Sequence, residues 1–139
     1  MFSRILHAND GSDAAFNALA LALDISKQSS APLHMVCVEE IPYLPEYIEE
    51  VREETRVAAR RFHSVLQKAR RMAEQHSVEL QTHVLAGHPV RTIVDLANEL
   101  DIDLLVIGAT GHSRLYERMV GSRADRLVHL APCPVLVVK

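Results

Sequence analysis

The sequence lacks the features on which several classes of protein depend. Within its 139 residues, no apolar run approaches the roughly 18 residues that a membrane-spanning helix needs. The net charge is −3, which gives no general electrostatic reason for binding nucleic acid or an anionic membrane. We therefore expect neither as a partner, and any affinity for phosphate groups must come from a local site.

Cysteine is scarce, since Cys37 and Cys133 are the only two. Both fall in or beside apolar segments, where buried reduced thiols are the ordinary interpretation. The segment Met1–Ala8 lacks the apolar core and the cleavage site of a signal peptide. Together these observations predict a cytoplasmic protein.

Signatures of catalysis and of metal binding are also missing. The eight histidines are scattered, without a His-x-x-x-His or Cys-x-x-Cys pair, so no metal site is predicted. There is no Gly-x-Ser-x-Gly element, and the pattern positions no general base or activating lysine. The dinucleotide pattern Gly-x-Gly-x-x-Gly and the P-loop pattern do not occur either. No catalytic residue is therefore predicted.

What the chain does contain is a regular alternation of strand-like and helix-like segments. This alternation predicts one α/β domain over residues 1–139, a three-layer sandwich with a five-stranded parallel, doubly wound sheet and about four helices. The predicted elements are strand Phe2–Ala8, helix Asp13–Lys27, strand Leu33–Val38, a helix within Glu46–Gln75, strand Val78–Leu85, a helix from Pro89, strand Asp103–Ile107, a helix from Ser122 and strand Pro134–Val138.

The strand order 3-2-1-4-5 is assumed from this class of fold. It makes strands one and four neighbours, from which the chain winds outward in opposite directions. Ligands of such sheets bind in the crevice at the carboxyl ends of those two strands. Asp10 and Gly108 are then expected to face each other across one cleft.

The most informative segment follows the fourth predicted strand and has the pattern Gly-x2-Gly-x9-Gly-Ser, from Gly108 through Gly111 to Gly121 and Ser122. Glycine allows backbone amides to approach an anionic ligand, and it allows the positive φ angles that a phosphate cradle often needs. Ser122 then opens a helix whose first amides and dipole favour phosphate, with Asp125 completing a capping box. The segment predicts a phosphate or nucleotide site.

Each of these residues also has a purely structural interpretation. The glycine segment is also compatible with a plain connecting loop, and Asp10 with a turn or capping role alone. Arg114 and Arg118 are more often exposed to solvent than bound to phosphate, because long side chains in loops are easily hydrated.

Five segments, in order and essentially from end to end, resemble the universal stress protein family. They are Ile5–Ser12, Gly87–Pro89, Asp103–Gly108, the Gly-x2-Gly-x9-Gly-Ser motif and Ala131–Val138. The resemblance implies a five-stranded parallel α/β sandwich that is usually a homodimer. It also implies the branch of the family whose glycine motif binds ATP.

The resemblance also implies a role for each matching position. Asp10 would hold the nucleoside, with Ala8 and Asn9 on the same wall, and main-chain groups of Cys37 or Val38 would contact adenine. The ribose and phosphates would be held by Gly108, Ala109, Thr110, Gly111, His112, Ser113 and Arg114, and the phosphates also by Gly121, Ser122, Arg123 and Ala124. Cys37 stands at a position where an aliphatic residue is commoner in the family. Arg123 departs from a small or β-branched one, and either adds a phosphate-binding cation or points to solvent.

The leading hypothesis is a regulatory stress-response protein that binds ATP, ADP or AMP, with Mg²⁺ or Mn²⁺ carried by the nucleotide. Occupancy would alter the surface, or the dimer, that an unidentified protein partner contacts. Two alternatives stay open: slow ATP hydrolysis or autophosphorylation at a residue such as Ser122, and an interaction module that does not use nucleotide. The expected homodimer forms through strand five, because Pro134–Val138 is wholly apolar at a sheet edge.

Overall fold

The computed structural model describes residues 1–41, 60–110 and 120–139. In these ranges strands and helices alternate, as predicted. The strands are β1 (Ile5–Ala8), β2 (Leu33–Glu40), β3 (Leu80–Gly87), β4 (Leu104–Gly108) and β5 (Val135–Val138). The helices are α1 (Asp13–Ser29), α2 (His63–His76), α3 (Pro89–Glu99) and α4 (Ser122–Leu130).

The strands form one sheet in the order β3-β2-β1-β4-β5, and every neighbouring pair is parallel. Ile5 of β1 is in register with Leu33 of β2 and with Leu104 of β4. The predicted order 3-2-1-4-5 is thus confirmed, with β1 and β4 adjacent at the point where the winding direction changes. β3 and β5 are the two edges.

Each face of the sheet carries its own apolar core, so the molecule has three layers. On one face, strand residues such as Ile5, Met35 and Val106 pack with apolar side chains of α1 and α2. On the other face, Leu6, Val36 and Leu105 pack with those of α3 and α4. The alternation of side chains along each strand therefore decides which core a residue joins.

Several strand boundaries differ from the prediction, including the start of β1 at Ile5 rather than Phe2, and two of the differences have a clear local reason. β2 continues to Glu40 because Glu39 and Glu40 pair with Ala86 and Gly87 of β3, although neither glutamate is apolar. β3 does not include Val78. That residue's amide instead donates to the carbonyl of Ala73 (3.0 Å), which closes the end of α2.

Part of the long helix predicted within Glu46–Gln75 is α2, while residues 42–59 lie outside the described ranges. In the part of the chain that the structure covers, none of the helices combines the length and apolar character needed to cross a membrane.

Candidate functional site

A cavity of about 520 Å³ opens at the carboxyl ends of β1, β2 and β4. Small-molecule sites commonly measure roughly 300–1,000 Å³, so a drug-sized ligand fits this space. The cavity is lined by Ala8, Asn9, Asp10, Ala15, Val36, Val38, Glu40, Pro89, Val90, Ile93, Ile107, Gly108, Ala109, Thr110, Gly121, Ser122, Arg123, Ala124 and Leu127.

The described residues of the predicted site all line this cavity, with the exception of Cys37. Asp10 and Gly108 therefore border the same cleft. Gly111, His112, Ser113 and Arg114 lie outside the described ranges, as does Arg118.

Cys37 lies on the opposite face of the sheet from the cavity. Side chains alternate along β2, so Val36 and Val38 line the cavity while Cys37 packs into the core formed with α1 and α2. Its side chain is buried, and burial raises the pKa of the thiol to about 12. Of the two predicted base contacts, Val38 is the one whose side chain faces the cavity.

In the turn between β1 and α1, side-chain oxygens accept hydrogen bonds from nearby backbone amides. Asn9 Oδ1 accepts the Gly11 amide at 2.8 Å, and Asp10 Oδ1 accepts the Ser12 amide at 2.9 Å. Ser12 caps α1, because its Oγ accepts the Ala15 amide at 3.2 Å. Gly11 has a φ of 85°, which favours glycine. Asp10 therefore has the turn role and also borders the cavity.

The N-terminus of α4 has no such side-chain cap. The capping residue is Gly121, and Ser122 is the first helical residue. The predicted capping box between Ser122 and Asp125 is therefore wrong. The Gly121 amide donates to the Ala109 carbonyl (2.6 Å) and holds Gly121 outside the helix, so the Ser122 hydroxyl is one position too late to cap. The first amides of α4 are thus left for another acceptor.

The two described glycines of the motif, Gly108 and Gly121, serve close backbone contacts. Gly121 has a φ of −66°, and Gly108 is not among the positive-φ residues, so neither adopts the positive φ angle that a phosphate cradle often needs. A Cβ on Gly108 would lie 3.1 Å from the carbonyl group of Ala14 in the first turn of α1. A Cβ on Gly121 would lie 3.3 Å from the Ala109 carbonyl oxygen. Both glycines therefore let backbone segments meet at the cavity.

Arg123 lies at the edge of the cavity and forms an ion pair with Glu40 at the end of β2. The two side chains are 55% and 62% exposed. Sequence reasoning missed Glu40, although a signal was present. Val36, Val38 and Glu40 are alternate residues of the chain. A strand that continues to Glu40 therefore places all three on one face.

The cavity also has an apolar wall. It was also missed from sequence, and it consists of Val36, Val90, Ile93, Ile107 and Leu127. Val90 and Ile93 come from α3, whose first residue is Pro89, as predicted. The inward stripe of this helix was evident in the sequence. Its proximity to the cavity depends on the placement of α3 over β2 and β3, which the sequence does not give directly.

Two buried polar side chains lie in or next to the end of β1. Asn9 is 2% exposed and lines the cavity, and its Nδ2 has no hydrogen-bond partner among the described residues. This donor is itself buried, and a buried donor is costly to leave unpaired. His7 is fully buried with its Nδ1 3.0 Å from the Val106 carbonyl oxygen, and burial lowers the pKa of its ring to about 4.

Across residues 1–41, 60–110 and 120–139, His, Cys, Asp and Glu side chains form no group of three or more that would hold a metal ion.

The fold is that of an α/β protein with a cavity at the switch point of a doubly wound sheet. The model of the universal stress protein family matches residues 1–139, and the chain belongs to this family.

Relatives agree with this assignment over the whole chain. Universal stress protein MJ0531 of Methanocaldococcus jannaschii is 35% identical, covering 100% of this chain and 83% of that protein. The structure of the universal stress protein UspA from Lactobacillus plantarum has a TM-score of 0.82 at 31% identity, covering 99% of this chain and 98% of that one. The universal stress protein from Archaeoglobus fulgidus in complex with dAMP has a TM-score of 0.66 at 25% identity, covering 99% and 98% of the two chains.

Proposed function

We propose that this protein binds an adenine nucleotide in the cavity and acts as a regulatory stress-response protein of the cytoplasm. The observation that carries the proposal is the N-terminus of α4, whose capping residue is a glycine with no side chain to bind the first amides, at a cavity that also has an apolar wall. Free helix amides and the helix dipole favour an anion, while an apolar wall favours a planar base. A ligand with a phosphate at one end and a heterocycle at the other satisfies both.

The cavity residues divide naturally between the parts of such a ligand. Val38 and the apolar wall suit the base, and Asn9 and Asp10 supply polar groups for the nucleoside. Gly121–Ala124 present the first turn of α4 to the phosphates, next to the connection that begins at Gly108. The same amides suit AMP, ADP and ATP, with Mg²⁺ or Mn²⁺ carried by the phosphates of the longer nucleotides.

A solved relative supports the ligand class. The Archaeoglobus fulgidus protein, which is 25% identical to this chain over nearly its full length, is in complex with dAMP.

The direct test is the identification of a ligand and the measurement of its affinity. Mass spectrometry of small molecules released from the denatured protein should detect an adenine nucleotide, and calorimetry should give saturable binding of AMP or ATP. Weaker binding of the guanine nucleotides is the specificity control. A protein that binds neither AMP nor ATP would be an interaction module that does not use nucleotide.

The regulatory role further requires that nucleotide is not turned over quickly. With Mg²⁺ or Mn²⁺ present, we expect steady-state hydrolysis well below about 1 s⁻¹, the lower end of ordinary enzyme rates. A faster rate, or stable phosphorylation of Ser122, would favour the enzyme alternative instead.

The regulatory form that we propose is a homodimer, joined through β5, that contacts a further protein. β5 is an edge strand of Val and Leu whose side chains are only half-buried in the monomer. Val128 and Leu130 of the preceding helix are 47% and 54% exposed, which adds apolar surface to this part of the molecule. A second copy related by a two-fold axis would cover the edge.

Light scattering at micromolar concentration tests the dimer. Leu136→Glu should convert the protein to a monomer, because it places a charge in the proposed interface. Leu80→Glu is the matched control, since Leu80 is a half-buried leucine of the other edge strand, in contact with the same core. A monomeric unmodified protein, or a dimeric Leu136→Glu variant, would show that β5 is not the interface.

A further inference from the structure

We propose that Glu40 is a specificity residue that disfavours long phosphate chains, so that the cavity discriminates among adenine nucleotides by their charge. The inference deepens the proposed function and rests on it. It starts from the ion pair between Glu40, the last residue of β2, and Arg123, in the first turn of α4. Both residues line the cavity.

The ion pair removes the charge with which Arg123 would otherwise attract phosphate. Among the described lining residues, Arg123 is the only cation, and Asp10 and Glu40 are the only carboxylates. The guanidinium is already bound to the Glu40 carboxylate. In this part of the lining, the helix amides are therefore the groups left to attract phosphate.

Glu40 also places a negative charge near the position where phosphates would bind. The first turn of a helix attracts anions, and through Arg123 the carboxylate of Glu40 is already bound to that turn. A phosphate chain must either replace Glu40 as the partner of Arg123 or bind beside a carboxylate. In either case the Glu40 carboxylate stays near the phosphates, and its repulsion grows with the number of phosphate charges.

The same strand offers a matched control for this charge. Glu39 is the preceding residue of β2, and its side chain pairs with Arg61 next to α2 on the other side of the sheet. It does not line the cavity. Glu39→Gln and Glu40→Gln therefore change the net charge equally, and only the second changes the charge at the cavity.

The experiment measures the affinities of adenosine, AMP and ATP, without divalent ions, by calorimetry for the unmodified protein and both variants. For Glu40→Gln we expect unchanged adenosine affinity, a gain of about twofold to threefold for AMP and a gain of about tenfold for ATP, as repulsion between charges several ångströms apart predicts. The gain should shrink at 0.5 M salt, because the pair is exposed and salt screens it. Glu39→Gln should leave the three affinities in their original ratio.

The outcomes separate this inference from the proposed function. If the nucleotides bind and Glu40→Gln leaves the ratio of ATP to adenosine affinity unchanged, or if Glu39→Gln changes it equally, Glu40 is not a specificity residue. If neither the unmodified protein nor Glu40→Gln binds any of the three ligands, the proposed function itself fails and the role of Glu40 fails with it. Circular dichroism checks that the variants are folded, which is expected because both sites accept polar side chains.

Discussion

Three helix N-termini border the cavity, and those of α1 and α4 are completed in different ways. The N-terminus of α1 follows β1, and side chains of Asn9, Asp10 and Ser12 accept three amides of the turn and the first helical turn. The N-terminus of α4 has no side-chain cap, and its capping residue is glycine. At the first terminus, side chains of the turn accept the amides, whereas at the second the capping residue has no side chain to do so. We propose that the difference separates a structural terminus from a binding one.

The strands that lead to the two termini also differ. β1, which leads to α1, contains the buried His7, whereas β4, which leads toward the connection before α4, is Leu-Leu-Val-Ile-Gly and has no titratable side chain. Stability on the β1 side is therefore expected to depend on pH, while the α4 side is expected to govern affinity for ligand. Three predictions test this division, beginning with the largest expected effect.

The first prediction concerns acidification. The pKa of His7 is lowered from 6.5 to about 4 in the folded protein, so the unfolded chain takes up a proton that the folded protein does not. The contribution of His7 to stability is complete above pH 6.5 and is lost as the pH falls toward 4. At pH 5 it amounts to a loss of about 2 kcal/mol in the free energy of unfolding.

Urea denaturation at pH 7.5 and pH 5.0 measures this loss. His7→Gln, which retains a donor for the Val106 carbonyl, should show a loss smaller by about 2 kcal/mol. His129→Gln is the control, because His129 is exposed on α4. An equal loss of stability in the unmodified protein and in His7→Gln would show that His7 is not the group responsible.

The second prediction concerns the α4 terminus. Gly121→Val should weaken nucleotide binding by about 1–2 kcal/mol, because its Cβ already meets the Ala109 carbonyl oxygen and the branched methyls displace the first amides of α4. Calorimetry measures the change. Ala131→Val places the same side chain at the other end of α4 and should leave the affinity unchanged. Equal affinity in Gly121→Val and the unmodified protein would exclude this terminus as the phosphate site.

The third prediction concerns the α1 terminus. Ser12→Ala should lower the free energy of unfolding by about 1 kcal/mol, since it removes the cap of α1. Nucleotide affinity should change less than twofold. Denaturation and calorimetry on the same samples give both values, with Ser64→Ala on the exposed face of α2 as the control. A loss of affinity without a loss of stability would reverse the roles assigned to the two termini.

Much of the fold could be predicted because it depends on local pattern. Apolar segments of strand length alternate with helical ones, and this alternation is compatible with few topologies. One of these is the order 3-2-1-4-5, which places Asp10 and Gly108 at one cleft. The residues of the site were harder to predict from the sequence, because their positions depend on how the helices pack on the sheet. Which of Cys37 and Val38 faces the cavity depends on which face of β2 is covered by which helices. The role of Gly108 depends on how closely β4 approaches α1.

Contacts between distant residues were the least predictable. Arg123 and Glu40 are 83 positions apart, and their ion pair exists only because α4 begins where β2 ends, at the carboxyl ends of the strands. The missing cap of α4 had the same kind of cause. Ser122 satisfies the local capping rule, but the hydrogen bond from Gly121 to Ala109 fixes the helix start one residue earlier.

The most direct test of the difference between the two termini is an NMR titration of amide-labelled protein with AMP, and in parallel with adenosine. If phosphate binds at α4, AMP should shift the amides of Ser122, Arg123 and Ala124 far more than adenosine does. The amides of Gly11, Ser12 and Ala15, which are bound by side chains, should respond alike to the two ligands. Phosphate-dependent shifts at Gly11–Ala15, with none at Ser122–Ala124, would contradict the account.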